Sequence, residues 1–483
     1  MRPIASIRPQ VFETAATQIA RINFPLLGIV MTALSTYLAI AIIPYDPEPK
    51  GALFNAALVM AIGLAAAPLA AAIRDPKSIL SGENLLALGP IYWLLLDLLQ
   101  GVYLMPGIEP EQVSKAFICI GLFVIGVWLA AYGRQWGVPV SIVRSISQDF
   151  SANTYFVLCI VAFLLGMLNF LISTGFDLPE MFHYVGQSRW AAPWGRGQLG
   201  GWDAFLDHLQ YFGYLLPALT VIIANRVGWV DSRTILSAGM GIVMTVFLAQ
   251  SGSRRIIGVI FGLAFVLWLL SQRRLRSGHM IIMATGVATV LLILQVMLEY
   301  RNVGIGSLIG DEQSESLFQR NYIHVDDNFY RLCQVIQFIP ESYPFVYHKY
   351  LVWVLIRPIP RVFWADKPID PGFDLPTALG VEGVSYSCSV LGELYMSAGL
   401  IGILLGGWFY GRIAGLASQL LTRNATSGIL LVYSTIMLAL FSGMRSMLEL
   451  ILISYVILAW IVLTRTFNYF KRRGAVRNPE FSQ

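Results

Sequence analysis

Charged residues are scarce in this chain. Only 13% of its 483 residues are Asp, Glu, Lys or Arg, whereas soluble domains carry about 25%. So little charge cannot coat soluble domains of this total length. A disordered or fibrous chain is excluded too, because 56% of the residues are hydrophobic and 12% are aromatic, and no Gly-X-Y period occurs. The composition therefore indicates a polytopic membrane protein.

Residues and motifs that bind metals or cofactors are also few. The five His residues show no spacing typical of metal ligands, and no phosphate-binding Gly-rich loop with Lys occurs. We therefore predict no metal, no cofactor and no domain for a nucleotide sugar. Of the four Cys, Cys119 and Cys159 fall in apolar runs as packing residues. Cys333 and Cys388 fall on the predicted outer, oxidising side of the membrane, which leaves a disulfide open.

Long apolar runs are what the sequence has in abundance. A helix rises about 1.5 Å per residue, so about 20 apolar residues cross a hydrocarbon core about 30 Å thick. No strand-type alternation recurs, so we predict an all-α polytopic membrane protein with about twelve transmembrane helices. The predicted spans are 23–43, 52–73, 84–104, 115–132, 153–172, 207–225, 230–250, 256–271, 280–298, 388–409, 427–443 and 446–466.

The positions of Lys and Arg predict the orientation of these spans. Basic clusters at 273–276 and 471–473 should be cytoplasmic, and counting back from them places both termini in the cytoplasm. Two segments on the outer side are long, at about 173–206 and 299–387. The predicted organisation is nine helices within 1–298, a large external loop with short amphipathic helices over 299–387, and three helices with a basic tail within 388–483.

Several arginines break this charge rule because they fall at the outer boundary of the membrane. They are Arg254, Arg255, Arg301, Arg357, Arg361 and Arg445. Charge at this depth is costly and indicates function, and a guanidinium grips phosphate through two parallel hydrogen bonds. We therefore predict that these arginines bind the pyrophosphate of a lipid-linked substrate. For Arg254 and Arg255 the alternative is a short solvated hairpin whose arginines extend to lipid headgroups.

Two short polar turns carry some of these arginines. Ser251-Gly252-Ser253-Arg254-Arg255 ends where a helix begins, and the unpaired N–H groups of a helix start favour an anion. Ser442-Gly443-Met444-Arg445-Ser446 joins the last two spans in the same style. Glu449, one turn further on, would pair with Arg445 in a purely structural interpretation.

The large external loop contains the candidate acid–base groups. Apolar residues at helical spacing predict an amphipathic helix over Asp327–Ile339 that Pro340 ends. Asp326 and Asp327 at its start either suit the helix dipole or act on the acceptor as a catalytic carboxylate, and His324 is a further candidate general base. Glu393, at the top of the tenth span, is either a general base or a structural ion-pair partner.

Further along the loop, Tyr350–Ile356 is apolar but too short to cross, which predicts an interfacial or re-entrant helix. It leads into the proline-stiffened turn that presents Arg357 and Arg361. Trp364 and Lys367 follow in the same turn, and Tyr395 lies at the top of the tenth span. Asp97, within the third span, must be paired or face a cavity, and the sequence indicates no partner for it.

The C-terminal half resembles the bacterial O-antigen and oligosaccharide repeat-unit polymerases of the Wzy type. The motifs that carry the resemblance are Ser251-Gly252-Ser253-Arg254, the Arg357–Pro368 turn with Trp-Ala-Asp-Lys-Pro, and Gly392-Glu393-Leu394-Tyr395 followed by Gly399-Leu400-Ile401-Gly402. The large external loop near the C-terminus is similar as well.

This resemblance implies a GT-C-like integral membrane glycosyltransferase of the bacterial inner membrane. Such enzymes move a growing glycan from undecaprenyl pyrophosphate onto the next lipid-linked repeat unit, at the periplasmic face, to make O-antigen, capsule or exopolysaccharide. Donor and acceptor would both be undecaprenyl-pyrophosphate-linked oligosaccharides. The resemblance also implies that Trp364, Lys367 and Tyr395, which lie in the resembling motifs, are the glycan-binding residues. Membrane lipids are expected partners, a chain-length regulator protein is allowed as another, and nucleic acid is not expected.

Two other functions remain open on the sequence. A ligase would transfer the finished glycan from the same lipid to another acceptor. A transporter of lipid-linked oligosaccharide would keep its charges along a path through the spans. The predicted charges instead collect on one face, which favours an enzyme.

Overall fold

A computed structural model describes most of the chain. The described residues are 24–133, 136–194, 203–250, 254–272, 275–300, 322–359, 361, 363–368, 370–381, 383–384, 386–421 and 425–477. In these ranges every regular element is helical, as the apolar pattern predicts, and none is a strand.

The helices of the first 300 residues are α1 Pro25–Ala41, α2 Phe54–Arg74, α3 Gly82–Pro90, α4 Leu96–Leu99, α5 Pro110–Tyr132, α6 Val140–Ile146, α7 Ala152–Ser173, α8 Leu178–His183, α9 Asp203–Gly213, α10 Leu216–Val227, α11 Ser232–Gln250, α12 Arg254–Ser271 and α13 Ser277–Tyr300. Short 3₁₀ turns occupy Pro76–Leu80 and Tyr184–Gly186, and a π-helical segment occupies Ile91–Leu95. The later helices are α14 Asn328–Phe338, α15 His348–Ile356, α16 Leu375–Ala378, α17 Ser389–Leu420, α18 Ser427–Gly443 and α19 Met447–Arg477.

Each of the twelve predicted spans falls on helix, but they differ in length. Among the described residues, nine helical stretches are long and apolar enough to cross a membrane: α2, the continuous stretch Gly82–Leu99, α5, α7, α11, α12, α13, α17 and α19. Helices α1 and α18 are apolar but have only 17 residues each. The protein is therefore membrane-embedded, with nine rather than twelve described helices of full spanning length.

The predicted span 207–225 is not continuous. The structure divides it between α9 and α10, with a two-residue turn at Tyr214 and Leu215. Pro217 explains the break, because it has no N–H to donate and its ring crowds the carbonyl four residues earlier.

Helix α17 is also interrupted. Ala398 and Gly399 leave helical geometry, and Gly399 has φ +61°, where a side chain would meet the ring of Phe345 at 3.2 Å. The freed carbonyls of Met396 and Ser397 accept hydrogen bonds of 2.9 Å from the N–H groups of residues 346 and 347. In a membrane such groups need a protein partner, and this pairing anchors the chain just before α15.

The packing of the long helices determines where the amphipathic helix α14 lies. Helix α17 packs lengthwise on α5, which also contacts α1, while α12 packs on α18 and α18 on α19. Helix α14 lies against α5 and α17. Its bounds agree with the prediction of a helix over Asp327–Ile339, and Leu332 and Cys333 on its inner face are fully buried. The residues just before α14 are therefore placed over the ends of several long helices.

Candidate functional site

An extended segment before α14 forms the centre of the candidate site. We call residues 322–327 the site strap. The side chain of Gln100 makes two hydrogen bonds to the backbone of Ile323. Its amide N–H donates to the carbonyl at 2.8 Å, and its oxygen accepts from the N–H at 2.8 Å. Gln295 of α13 accepts from the N–H of His324 at 3.3 Å. Side chains near the ends of two membrane helices thus fix one half of the strap.

The next residue of the strap is held in the same way. Asp97 of α4 accepts a hydrogen bond of 3.3 Å from the N–H of Val325. Arg254, the first residue of α12, donates to the carbonyls of His324 and Val325, both at 2.6 Å. Asp97 therefore has the partner that the sequence did not indicate. These hydrogen bonds fix the position of the strap's backbone relative to the ends of α4 and α12.

One side of the strap carries an arginine–carboxylate network. Asp326 lies between two guanidinium groups, 3.5 Å from Arg254 and 2.6 Å from Arg445. Arg255 pairs with Glu449, which also lies 3.9 Å from Arg445. Burial alone would lower the pKa of Arg445, but Asp326 and then Glu449 outweigh it and raise the pKa above its ordinary value. Three guanidinium groups thus face two carboxylates, which leaves this group of side chains with one net positive charge.

The other side of the strap presents Asp327. Its carboxylate accepts a short hydrogen bond from the hydroxyl of Tyr103, and its oxygens lie 3.8 Å from His324 Nε2 and 3.6 Å from Arg331. Burial and then Asp327 raise the pKa of Tyr103 far above its ordinary value, so its hydroxyl stays protonated and donates. The side chain of Asp327 is 36% exposed, against 23% for Asp326. Asp327 is therefore the more accessible carboxylate.

Glu393 occupies a different environment from the other candidate bases. It is only 5% exposed, and its oxygens accept from the hydroxyl of Ser446 and the N–H of Met447, both at 2.6 Å. The hydroxyl of Tyr350 also hydrogen-bonds to Glu393. Glu393 thus satisfies an N–H at the start of α19, as a capping residue from another helix. Its partners differ from the ion pair expected in the structural interpretation.

The remaining predicted phosphate arginines belong to the region after α15. Arg357 lies over the ring of Trp353 at 4.8 Å, and its carbonyl accepts from Lys367 Nζ at 3.0 Å. Burial, and then Arg357 and Arg361, lower the pKa of Lys367. Trp364 in the same turn is 42% exposed. The short helix expected here exists as α15, and it packs against α17 and α19.

Some predicted residues lie apart from the strap or outside the described chain. Tyr395 is 5% exposed and packs edge-on against Phe345, with ring centres 6.3 Å apart. Arg301 and the Ser251–Ser253 turn lie outside the described residues. Cys333 and Cys388 are both free thiols.

Sequence reasoning missed several groups that contact the strap: Gln100, Tyr103, Gln295 and Arg331. One signal was present. Asp97 and Gln100 are polar residues three positions apart in an apolar stretch, so they share a helix face and predict a common polar partner. A second signal is the four-residue spacing of Asp327 and Arg331, at which opposite charges pair along a helix. No local pattern identifies Tyr103 or Gln295, because their partners on the strap are distant in sequence.

In the described part of the chain, no group of three or more His, Cys, Asp and Glu could hold a metal ion. Comparison with known proteins gives no further assignment: no family model, no curated protein and no solved structure matches this chain.

The role of Asp97 can be tested without knowing the reaction. Asp97→Leu removes the acceptor of the Val325 N–H and should accelerate hydrogen exchange across 322–327 about tenfold, as expected for a loss of about 1.4 kcal/mol. Asp97→Asn keeps an oxygen in place and should exchange like the wild type. Hydrogen–deuterium exchange with mass spectrometry measures both. Equally fast exchange in the two variants would mean that the charge of Asp97, not its acceptor oxygen, holds the strap.

Proposed function

We propose that the chain is a membrane glycosyltransferase that polymerises undecaprenyl-pyrophosphate-linked oligosaccharide repeat units into a surface polysaccharide. The observation that carries the proposal is the juxtaposition at the strap. A partly exposed arginine network with net positive charge lies on one side, and an accessible carboxylate beside a histidine lies on the other. The motifs that resemble repeat-unit polymerases include one residue of this group, Arg254.

The arginine network is costly to keep for stability alone. Partly buried ion pairs contribute little net stability, because desolvation offsets their attraction, and apolar residues of similar size often serve better. Arg254, Arg255 and Arg445 at the ends of apolar helices therefore support a role in binding an anion. A pyrophosphate carried on a lipid places its charge at this depth of the membrane.

In the proposed reaction, an acceptor hydroxyl attacks the anomeric carbon of the donor glycan. A new glycosidic C–O bond forms, and the bond between the anomeric carbon and the pyrophosphate oxygen breaks. Undecaprenyl pyrophosphate leaves with the electron pair of that bond, and the arginines stabilise its developing charge. The hydroxyl proton passes to a general base on the protein.

Asp327 is the base that the geometry favours. Asp326 is held between two guanidinium groups, and Glu393 is buried against Ser446 and Met447. Asp327 is the most exposed of the candidate acids, and His324 Nε2 lies 3.8 Å from its carboxylate, so the two candidate acid–base groups are neighbours. This assignment also separates the leaving group from the acceptor, since Asp326 and Asp327 face different partners.

The proposal includes an orientation. It takes all twelve helical segments as spans, with both termini in the cytoplasm of the bacterial inner membrane and the strap at the periplasmic face. The distribution of Lys and Arg supports this arrangement, because it puts the basic clusters at 273–276 and 471–473 together in the cytoplasm, as expected for basic loops.

Deleting the gene should leave single-repeat glycans on the cell and remove long chains, and a plasmid copy should restore them. Electrophoresis of the surface glycan measures the chain length. The purified chain in liposomes should also form polymer from lipid-linked repeat units with no nucleotide sugar added.

Other results would point elsewhere. Wild-type chain lengths in the deletion strain would contradict the polymerase. Total loss of surface glycan would indicate a transporter of lipid-linked oligosaccharide. Long chains that stay on undecaprenyl pyrophosphate would indicate a ligase.

A further inference from the structure

Arg331 lies between the proposed base, Asp327, and the rings of two tyrosines. Its guanidinium lies 3.8 Å from the ring centre of Tyr386 and 5.1 Å from that of Tyr330. The same group donates to Gln334 at 2.7 Å and lies 3.6 Å from Asp327. Such stacking holds the ring of Tyr386 in one orientation. Arg331 thereby fixes an aromatic face beside the accessible carboxylate.

Two further tyrosines approach the same carboxylate and its neighbour. The hydroxyl of Tyr103 donates to Asp327, and Tyr322 lies edge-on to His324 with ring centres 6.1 Å apart. Tyr330 is anchored by a hydrogen bond of 2.9 Å from its hydroxyl to the carbonyl of Pro106. All of these tyrosines, with Tyr386, are neither fully buried nor fully exposed. Tyr103 contacts Asp327 directly, and Tyr330 and Tyr386 pack on Arg331, so these rings border the Asp327 side of the strap. Ser387, next to Tyr386, donates to the carbonyl of Arg445 at 3.0 Å, so this side adjoins the arginine network.

We propose that Asp327, Arg331, Tyr103, Tyr330 and Tyr386 form the subsite for the sugar ring that carries the attacking hydroxyl of the acceptor. This inference rests on the proposed function, to which it adds the location of the acceptor glycan. It replaces Trp364, Lys367 and Tyr395 as the glycan-contacting group nearest the reaction.

The chemistry of these side chains suits a sugar rather than a phosphate. A pyranose presents hydroxyls at its rim and C–H groups on its faces. A carboxylate accepts from the hydroxyls, a guanidinium donates to them, and a tyrosine ring packs on the C–H face. Asp327 would repel a phosphate, whereas the network around Asp326 carries the surplus of positive charge.

The position relative to the base indicates the acceptor rather than the donor. The attacking hydroxyl must reach the base, so the ring that carries it lies within hydrogen-bond distance of Asp327. The donor is held by its pyrophosphate at Arg254 and Arg445. Consecutive Cα atoms lie about 3.8 Å apart, so the two sides of the strap are close enough for one transfer reaction.

Tyr386 allows a test that does not depend on polymerisation. The probe is an oligosaccharide mixture made by partial acid hydrolysis of the organism's own surface polysaccharide, without lipid or pyrophosphate. Saturation-transfer NMR on the purified full chain measures its binding. Tyr386→Ala should weaken binding about tenfold. Tyr386→Phe keeps the ring face and should bind like the wild type.

Matched variants separate this subsite from the rest of the protein. Tyr132→Ala removes an exposed tyrosine at the far end of α5 and should leave binding unchanged. Asp327→Asn should weaken binding, whereas Arg445→Ala should retain it, because the probe has no phosphate.

The outcomes distinguish this subsite from the proposed function. Binding by the wild type that Tyr386→Ala weakens, without polymer formation, would contradict the polymerase and leave a glycan-binding site at these residues. Polymer formation with no glycan binding, or with equal binding by Tyr386→Ala and the wild type, would overturn the subsite and leave the polymerase standing. Equal loss of binding in Tyr386→Phe and Tyr386→Ala would also overturn it, because the ring face would then not be the contact.

Discussion

Arg445→Ala should lower the rate of polymer formation about 100- to 1000-fold, the usual loss when a group that stabilises developing negative charge is removed. Arg445 is the guanidinium closest to Asp326 and also lies 3.9 Å from Glu449. Without it, the side chains of the network lose their net positive charge, and the leaving pyrophosphate loses a donor. The initial rate with purified chain and lipid-linked repeat units measures the effect.

Arg445→Lys and Arg233→Ala serve as controls for this prediction. The lysine keeps the charge but lacks the planar guanidinium, whose separate nitrogens lie toward Asp326 and Glu449, so it should recover only part of the rate. Arg233 also pairs with a carboxylate, that of Asp231, but far from the strap, and its alanine variant should stay within about twofold of the wild type. A normal rate for a folded Arg445→Ala protein would remove Arg445 from the site.

Much of the fold could be predicted because it depends on local properties. Apolar length places helix at all the predicted spans, and the helical spacing before Pro340 predicts α14 to within a residue at each end. The interruptions were not predictable in the same way. At the break near Gly399, the freed carbonyls accept hydrogen bonds from the N–H groups of residues 346 and 347, about fifty positions earlier. A pattern of neighbouring residues cannot predict such a distant contact. The π-helical segment Ile91–Leu95 likewise accompanies a long-range contact, the donation from Asn328 to the carbonyl of Trp93.

The sequence predicts many residues of the candidate site, but it does not predict which of them contact one another. The arginines stand out because charge at the membrane boundary is rare, and the acids stand out because they precede a helix. That Asp326 lies between Arg254 and Arg445 depends on contacts across 72 and 119 positions. The sequence therefore gives no sign that the candidate phosphate-binding arginines lie beside the candidate bases. The structure places Arg254 and Arg445 on one side of the strap and Asp327 on the other.

Glu393→Ala should destabilise the protein strongly, by about 3–5 kcal/mol, whatever its effect on polymer formation. The change leaves the N–H of Met447 and the hydroxyls of Ser446 and Tyr350 without this acceptor, and each buried unsatisfied donor costs about 1–3 kcal/mol. Glu393→Gln keeps one acceptor oxygen and should lose about half as much. Thermal unfolding in detergent, followed by loss of monodisperse protein, measures the order of the variants.

Glu341→Gln is the matched control, because Glu341 is exposed and its variant should unfold within about 0.5 kcal/mol of the wild type. The comparison decides between the two roles considered for Glu393. A general base that is removed lowers the rate and leaves the unfolding temperature unchanged. If Glu393→Ala is as stable as the wild type but inactive, Glu393 rather than Asp327 takes the proton. If it is unstable and its residual folded fraction remains active, Glu393 holds α17, α15 and the start of α19 together, and the base lies on the strap.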